Sequence, residues 1–324
     1  MSSAAPVPET RDLTGDDARA TLRQLPVRTM LRDTASRLRV ADGVSHARAL
    51  AFQLVLAVIP GAIVVVAVAA RLQWDALSDA LVRTAESIAP GTAGEVFQQA
   101  FDEGADAGGA GNWSAIAGGA LALLVSGTTA FGQLERTANR VYGIERDRPT
   151  VRKYLRALGL MAVSGTMLAS YFAAIGLGRG WGSTRSSEAH WWWDVARWPL
   201  GLVFVTIALT VVFRWSPKRR QPGWRWLAVG TSLAVSGVVL VSLLLSGYLS
   251  ASSSFGETYG PLAGFLGLLL WAYLSSVSVV FGLAFAAQLE AVRAGVGDTA
   301  SDTKVEAGEP DATVVGYAEA LRRS

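Results

Sequence analysis

The chain has 324 residues, of which 51% are apolar and 17% charged, with a mean hydropathy of +0.33 and a formal net charge of +3. The apolar residues gather into runs of about 20, the length that crosses a ~30 Å hydrocarbon layer, and this excludes an ordinary soluble domain. Cysteine is absent, which excludes disulfides, thiolate metal sites and cysteine nucleophiles.

Residues 1–25 mix Pro, Ser, Thr, Asp and Ala with few bulky apolar side chains and read as a disordered tail. Over 26–43, Val27, Met30, Leu31, Ala35 and Leu38 recur at helical spacing, while Arg28, Arg32, Arg37 and Arg39 fall mostly elsewhere on the wheel. This predicts a basic amphipathic helix, read as lying on the inner leaflet in preference to packing on the bundle as a solvated helix. Residues 44–290 read as an all-α membrane domain, a six-transmembrane-helix bundle with spans at 49–70, 113–131, 155–178, 192–213, 226–248 and 261–287. Irregular backbone or open strands would leave unpaired polar groups in lipid, so the spans are expected to be helices. Residues 291–324 read as a second disordered tail.

The segments between spans alternate in charge. Residues 1–48, 132–156, 214–225 and the tail after 288 hold 24 Lys and Arg, and the other three connections hold 5. Positive loops stay on the cytoplasmic side, so the pattern predicts six spans with both termini in the cytoplasm. The same pattern accounts for the sequence pI near 9.4 without a nucleic-acid partner.

Span one carries Gln53 and the pair Pro60-Gly61, read as a candidate kink or gate. Segment 71–112 bears seven acids and two arginines, and its apolar stripes at Trp74, Leu77, Leu81, Ala85, Ile88 and at Val96, Phe97, Ala100, Phe101 flank Pro90-Gly91. This predicts an extracytoplasmic amphipathic helical hairpin that caps the outer face between spans one and two. Span two is rich in small residues around Gly118-Gly119 and continues as helix to about Val141. Trp181, Trp191, Trp192 and Trp193 on one side, and Trp215, Trp224 and Trp226 on the other, read as interfacial anchors. In the last span Gly264, Gly267, Trp271, Ser275, Ser278 and Gly282 recur every three or four residues, a helix-packing stripe or, less favoured, the wall of a substrate path.

Two stretches break this logic. Where span two leaves the membrane, Glu135 and Asn139 share one helix face and Arg136 and Arg140 the next, a candidate site for a phosphate-bearing headgroup. The turn before the last span, with Glu257, Tyr259 and Gly260, is a candidate external gate or simply a tight helix start at Pro261. Enzyme chemistry finds no footing. The two histidines, His46 and His190, fall on opposite sides of the membrane, and no cluster has metal-ligand or nucleophile–base spacing, so no catalytic residue, metal or cofactor is expected.

Several stretches together resemble the YihY/BrkB family of bacterial inner-membrane proteins. They are Arg48-Ala49-Leu50-Ala51-Phe52-Gln53 to Ile59-Pro60, Leu134-Glu135-Arg136-Thr137-Ala138-Asn139-Arg140-Val141-Tyr142, Trp224-Arg225-Trp226 to Gly230, and Tyr259-Gly260 through Trp271-Ala272-Tyr273 to Gly282. The likeness covers about residues 30–292, with departures at Thr137 and Gln53. It implies a polytopic protein of envelope integrity with a proposed role in moving a lipid or lipid-linked substrate. The expected function is therefore a translocase or exporter of an amphipathic substrate; the alternative is a membrane scaffold that organises envelope enzymes. Membrane lipids are the expected partners, with an envelope protein or a second copy left open. The family's old ribonuclease BN label is set aside, because the short basic loops lack the ligands that such chemistry needs.

Overall fold

The structure is a computed structural model and describes residues 4–10, 13–24, 26–74, 92–109, 113–182, 187–251, 258–259 and 262–297. The described residues are all-helical: α1 Gly15–Gln24, α2 Val27–Val40, α3 Gly43–Arg71, α4 Thr92–Gly109, α5 Trp113–Val141, α6 Thr150–Gly182, α7 Ser187–Trp215, α8 Trp224–Ala251 and α9 Ala263–Arg293. Among the described residues five helices, α3, α5, α7, α8 and α9, are long and apolar enough to cross a membrane. The remaining predicted span, the third at 155–178, lies within α6, a 33-residue helix packed between α5 and α7. Each long helix packs on the next in chain order, and α9 returns to α3.

Close packing in lipid requires small residues, since apolar side chains gain nothing by leaving hydrocarbon for protein. On α9, Gly282 sits against α8 so tightly that an added Cβ would stand 2.5 Å from the Gly230 carbonyl oxygen, and one at Gly230 would stand 2.6 Å from the Gly282 carbonyl. Ser278 lies against Gly237 one turn further out, and Trp271 Nε1 donates to Ser242 Oγ at 3.0 Å. Gly264, Gly267 and Ser275 are buried. On α3, the helix continues through Pro60, and Gln53 Oε1 accepts a hydrogen bond from Thr129 Oγ1 of α5 at 2.8 Å.

Three expectations are corrected. The first concerns α4, which runs alongside α3 rather than across its end. Cβ atoms at Gly104 and Gly108 would meet the Ile63 and Ala67 carbonyls at 2.7 and 2.6 Å, and Val96 packs on the cluster of Ala51, Val55, Leu268 and Ala272. Two glycines four apart make that face flat, and the exposed acids Asp102, Glu103 and Asp106 occupy the opposite face. The acids suggested a solvent-side cap; the glycines decide the position. The predicted hairpin's other arm, in 75–91, lies outside the described residues.

The second correction is the N-terminal tail. Residues 4–10 and α1 are packed on the bundle, with Ala4, Val7 and Ala18 buried. A reciprocal cap starts α1: Thr14 N donates to Asp17 Oδ2 at 3.0 Å and Asp17 N to Thr14 Oγ1 at 3.3 Å. The third is the amphipathic pattern. Arg37 of α2 lies fully buried beside Met30, Thr34 and Leu38, and Trp226 is fully buried with Met30, Leu227, Phe285 and Leu289 rather than at an interface. Trp215 and Trp224 are exposed and meet edge-on at 5.9 Å. Residues 298–324, Glu257, Gly260 and Pro261 lie outside the described residues, and Tyr259 is exposed. The side chains of Trp181, His190 and Trp191–Trp193 are likewise outside the description.

A candidate site at the basic end of the bundle

The end of the bundle that carries α1 and α2 is built around charged side chains that water scarcely reaches. Six segments converge there: residues 4–10, α2, the C-terminal turns of α5, the α5–α6 loop, the α7–α8 connection and the C-terminal turns of α9.

The α5 turns supply the first half. Glu135 is buried, and its Oε1 lies 2.9 Å from Arg148 Nη1. Arg148 in turn donates to the Ser216 and Pro217 carbonyls, at 2.7 Å each, which ties the α5–α6 loop to the α7–α8 connection. Asn139, fully buried, donates to Asp147 Oδ1 at 2.9 Å and accepts from the Lys218 backbone N–H at 2.8 Å. Arg140 is buried and donates to the Ile144 and Glu145 carbonyls at 3.0 and 2.6 Å, closing the chain as it leaves α5. Of the four residues predicted here only Arg136 reaches the surface, its side chain 44% exposed and its Nε 3.6 Å from Asp147 Oδ2. His46 shares a 3.1 Å hydrogen bond with Gln133, whose roles depend on the imidazole tautomer.

The second half is hidden from sequence reasoning. Arg219 Nη2 meets Glu290 Oε1 at 2.6 Å, with side-chain exposures of 4% and 0%. The Arg219 guanidinium also stacks 4.7 Å above the ring of Tyr142. Arg37 donates through Nε to Gln288 Oε1 at 2.7 Å and through Nη1 to the Ala5 and Val141 carbonyls. Burial pushes the Arg37 guanidinium down to about 10, opposed by Tyr142 and Glu290, so it keeps its charge at neutral pH. Burial likewise drives the Tyr142 phenol above its ordinary range. One acid and one glutamine, Glu290 and Gln288, near the end of the apolar α9 were one available signal: ionisable residues within a span are functional candidates by default. Arg37, Arg148 and Arg219 carried no such signal, because they were already explained as topological positive charge.

Beside this network, the α5–α6 seam gathers further cations: Arg136 is half-buried, Arg156 is exposed and Lys153 is buried. The Lys153 stem passes over Gly132, its Cε 3.4 Å from where a Cβ would be, and burial followed by the nearby Arg136 lowers its ammonium pKa. Along the helices from there, Val125, Tyr154, Leu155 and Leu158 are exposed and apolar.

A long-helix bundle, apolar outside and ionic at one buried end, defines an integral membrane protein with a built polar anchor. A sequence model of the family described as virulence factor BrkB matches residues 34–306, and the chain belongs to that family. It is 25% identical to a putative ribonuclease-like protein YfkH of Bacillus subtilis, over 78% of this chain and 92% of the relative. It is 28% identical to a UPF0761 membrane protein of Stenotrophomonas maltophilia and 30% identical to one of Xanthomonas campestris, each over 76% of this chain. The chain spans 57% of the length of those two UPF0761 proteins. No solved structure matches.

Proposed function

We propose that the chain crosses the bacterial cytoplasmic membrane six times with both termini inside, and that it moves a lipid or other amphipathic substrate with a phosphate-bearing headgroup. The observation that carries this reading is the α5–α6 seam: the half-buried Arg136 and the exposed Arg156 stand beside a wall of exposed apolar residues, and the buried Lys153 lies between the two helices over Gly132. Cations set at the end of an apolar seam match a headgroup above its acyl chains. The segregation of 24 Lys and Arg to alternate connections supports the orientation. Relatives named as membrane proteins are consistent with the location. The ribonuclease-like name of the Bacillus relative is not carried over. Arg37, Arg140, Arg148 and Arg219 donate to protein carbonyls or carboxylates within the fold, which withdraws them from any RNA phosphate.

The test is movement of fluorescent phospholipid in proteoliposomes. Wild-type protein is expected to exceed protein-free vesicles, and Arg136→Gln with Arg156→Gln is expected to lower the rate about tenfold, the scale of one charged hydrogen bond lost, without a change in melting temperature. Wild-type movement no greater than in empty vesicles overturns translocation and leaves the scaffold reading; unchanged movement in the double variant overturns the seam as headgroup site.

A further inference from the structure

Residues 4–10, which belong to no helix or strand, lie across the basic end of the bundle, outside the family match, which begins at residue 34. Their bonds go outward to the bundle. Ala4 N donates to the Arg140 carbonyl and Val7 N to the Tyr142 carbonyl, at 3.1 and 3.2 Å. The Ala5 carbonyl accepts from Arg37, and the Val7 and Pro8 carbonyls accept from Arg219 at 3.1 and 3.0 Å. Glu9 accepts from the Arg220 N–H, and Thr10 donates from both N and Oγ1 to Glu290. Ala4 and Val7 fill closed positions, while the alternating Pro6 and Pro8 lack donors. Proline also holds the residue before it in extended backbone, so Ala5-Pro6-Val7-Pro8 reaches its bound shape with little entropy left to lose.

The receiving surface is shaped to match. Gly143 adopts φ +75°, and a Cβ there would stand 2.5 Å from Pro6 Cα and 2.7 Å from the Ala4 carbonyl oxygen. Under the segment lie Tyr142 with Arg219 stacked on it, and the Arg37 Nη2 and Glu290 Oε2 atoms, which are buried without a hydrogen-bond partner among the described residues. An aromatic floor, two guanidinia spaced for successive carbonyls and a carboxylate at one end form a receptor for extended proline-containing peptide.

We infer that this surface is a peptide-binding groove whose occupant in this chain is its own residues 4–10, held as a detachable ligand; its release opens the Arg37, Arg219 and Glu290 floor to water. The inference requires only the basic end and not the transport reading. Detachment is expected because the segment, although it makes eight hydrogen bonds to the bundle, buries only two small apolar side chains, Ala4 and Val7, which places it below the core helices on the local stability scale.

Hydrogen–deuterium exchange on the full chain in lipid nanodiscs tests it. The amides of Val7 and Thr10 are expected to exchange more slowly than in a free peptide of residues 1–14, yet at least ~100-fold faster than those of Leu283–Leu289 in α9. Thr10→Ala is expected to speed Val7 exchange about tenfold and leave α9 unchanged, since the Oγ1 bond to the Glu290 carboxylate is lost while the backbone N–H bond stays. In that variant the free peptide, added at millimolar concentration, should bind and bring residues 4–10 of the protein to the unprotected rate. A cross-link provides the reverse. A Cβ at Gly15 would lie 3.1 Å from Arg225 Cβ, slightly inside the usual disulfide span of about 3.5–4.5 Å, and the chain has no cysteine of its own. Oxidised Gly15→Cys/Arg225→Cys should slow Val7 exchange and reduction should restore it. Three results would each overturn the inference: exchange of 4–10 as slow as α9, exchange as fast as the free peptide in wild type, or no peptide binding to Thr10→Ala.

Discussion

Glu290→Ala is expected to lower the unfolding free energy by about 3–5 kcal/mol, the scale of breaking one partner of a buried ion pair. Its carboxylate is wholly buried against Arg219 at 2.6 Å, and it also receives Thr10. Without it, the Arg219 guanidinium stays 4% exposed and the fully buried Arg37 loses the nearest negative charge. Neither arginine can discard its proton at neutral pH, so the desolvation cost has no outlet except opening the basic end to water. Arg219→Ala should cost nearly as much, because it strands the carboxylate instead. The pair Arg219→Leu with Glu290→Leu should recover much of the loss, since a well-packed apolar pair often replaces a buried ion pair at little cost. Thermal melts and denaturant titrations of the purified protein in detergent, arranged as a double-mutant cycle, measure all three. A loss below about 1 kcal/mol for Glu290→Ala would mean that water already reaches the pair, as at an ordinary surface ion pair.

The long apolar runs make the helices readable because hydrocarbon permits few other backbone solutions. Length and hydropathy alone mark out α3, α5, α7, α8 and α9. The placement of α4 was not readable, because charge and packing pull the reading in opposite directions within one helix. Asp102, Glu103 and Asp106 announce water, while Gly104 and Gly108 announce a backbone neighbour, and a linear reading gives the charges more weight. The site shows the same asymmetry. Glu135, Arg136, Asn139 and Arg140 stand out because they are consecutive turns of one helix. Arg37, Arg148, Arg219 and Glu290 come from four different segments, and nothing local in the sequence records that they meet.

That asymmetry also separates two uses of positive charge. Topology requires only that arginine stay on one side of the membrane, so any position in a connection will serve. Packing requires a particular arginine at a particular depth: Arg148 spans from Glu135 to the Ser216 and Pro217 carbonyls, and no other loop arginine occupies that position. The basic end therefore spends much of its charge on its own carbonyls and carboxylates, and of the cations along the α5–α6 seam Arg136 is half-buried and Arg156 exposed.

Gly282→Val is expected to destabilise the bundle by about 3 kcal/mol or more, at the upper end of overpacking effects, and Gly282→Ala by somewhat less. The obstacle is backbone: a Cβ at Gly282 meets the Gly230 carbonyl oxygen at 2.5 Å and Ala234 Cβ at 2.6 Å, and neither can rotate away. The only relief is to separate α8 from α9, which also loosens the neighbouring Gly237–Ser278 contact and the Trp271–Ser242 hydrogen bond. Gly165→Ala supplies the contrast within the same bundle. Nothing stands within 4 Å of a Cβ at that position of α6, so the substitution should be neutral or stabilise by up to about 1 kcal/mol through helix propensity. Equal losses from the two substitutions in detergent melts would show that helix propensity or lipid contact, not the α8–α9 approach, sets the cost at Gly282. A large loss at Gly282 with none at Gly165 locates the tight helix crossing at α8–α9.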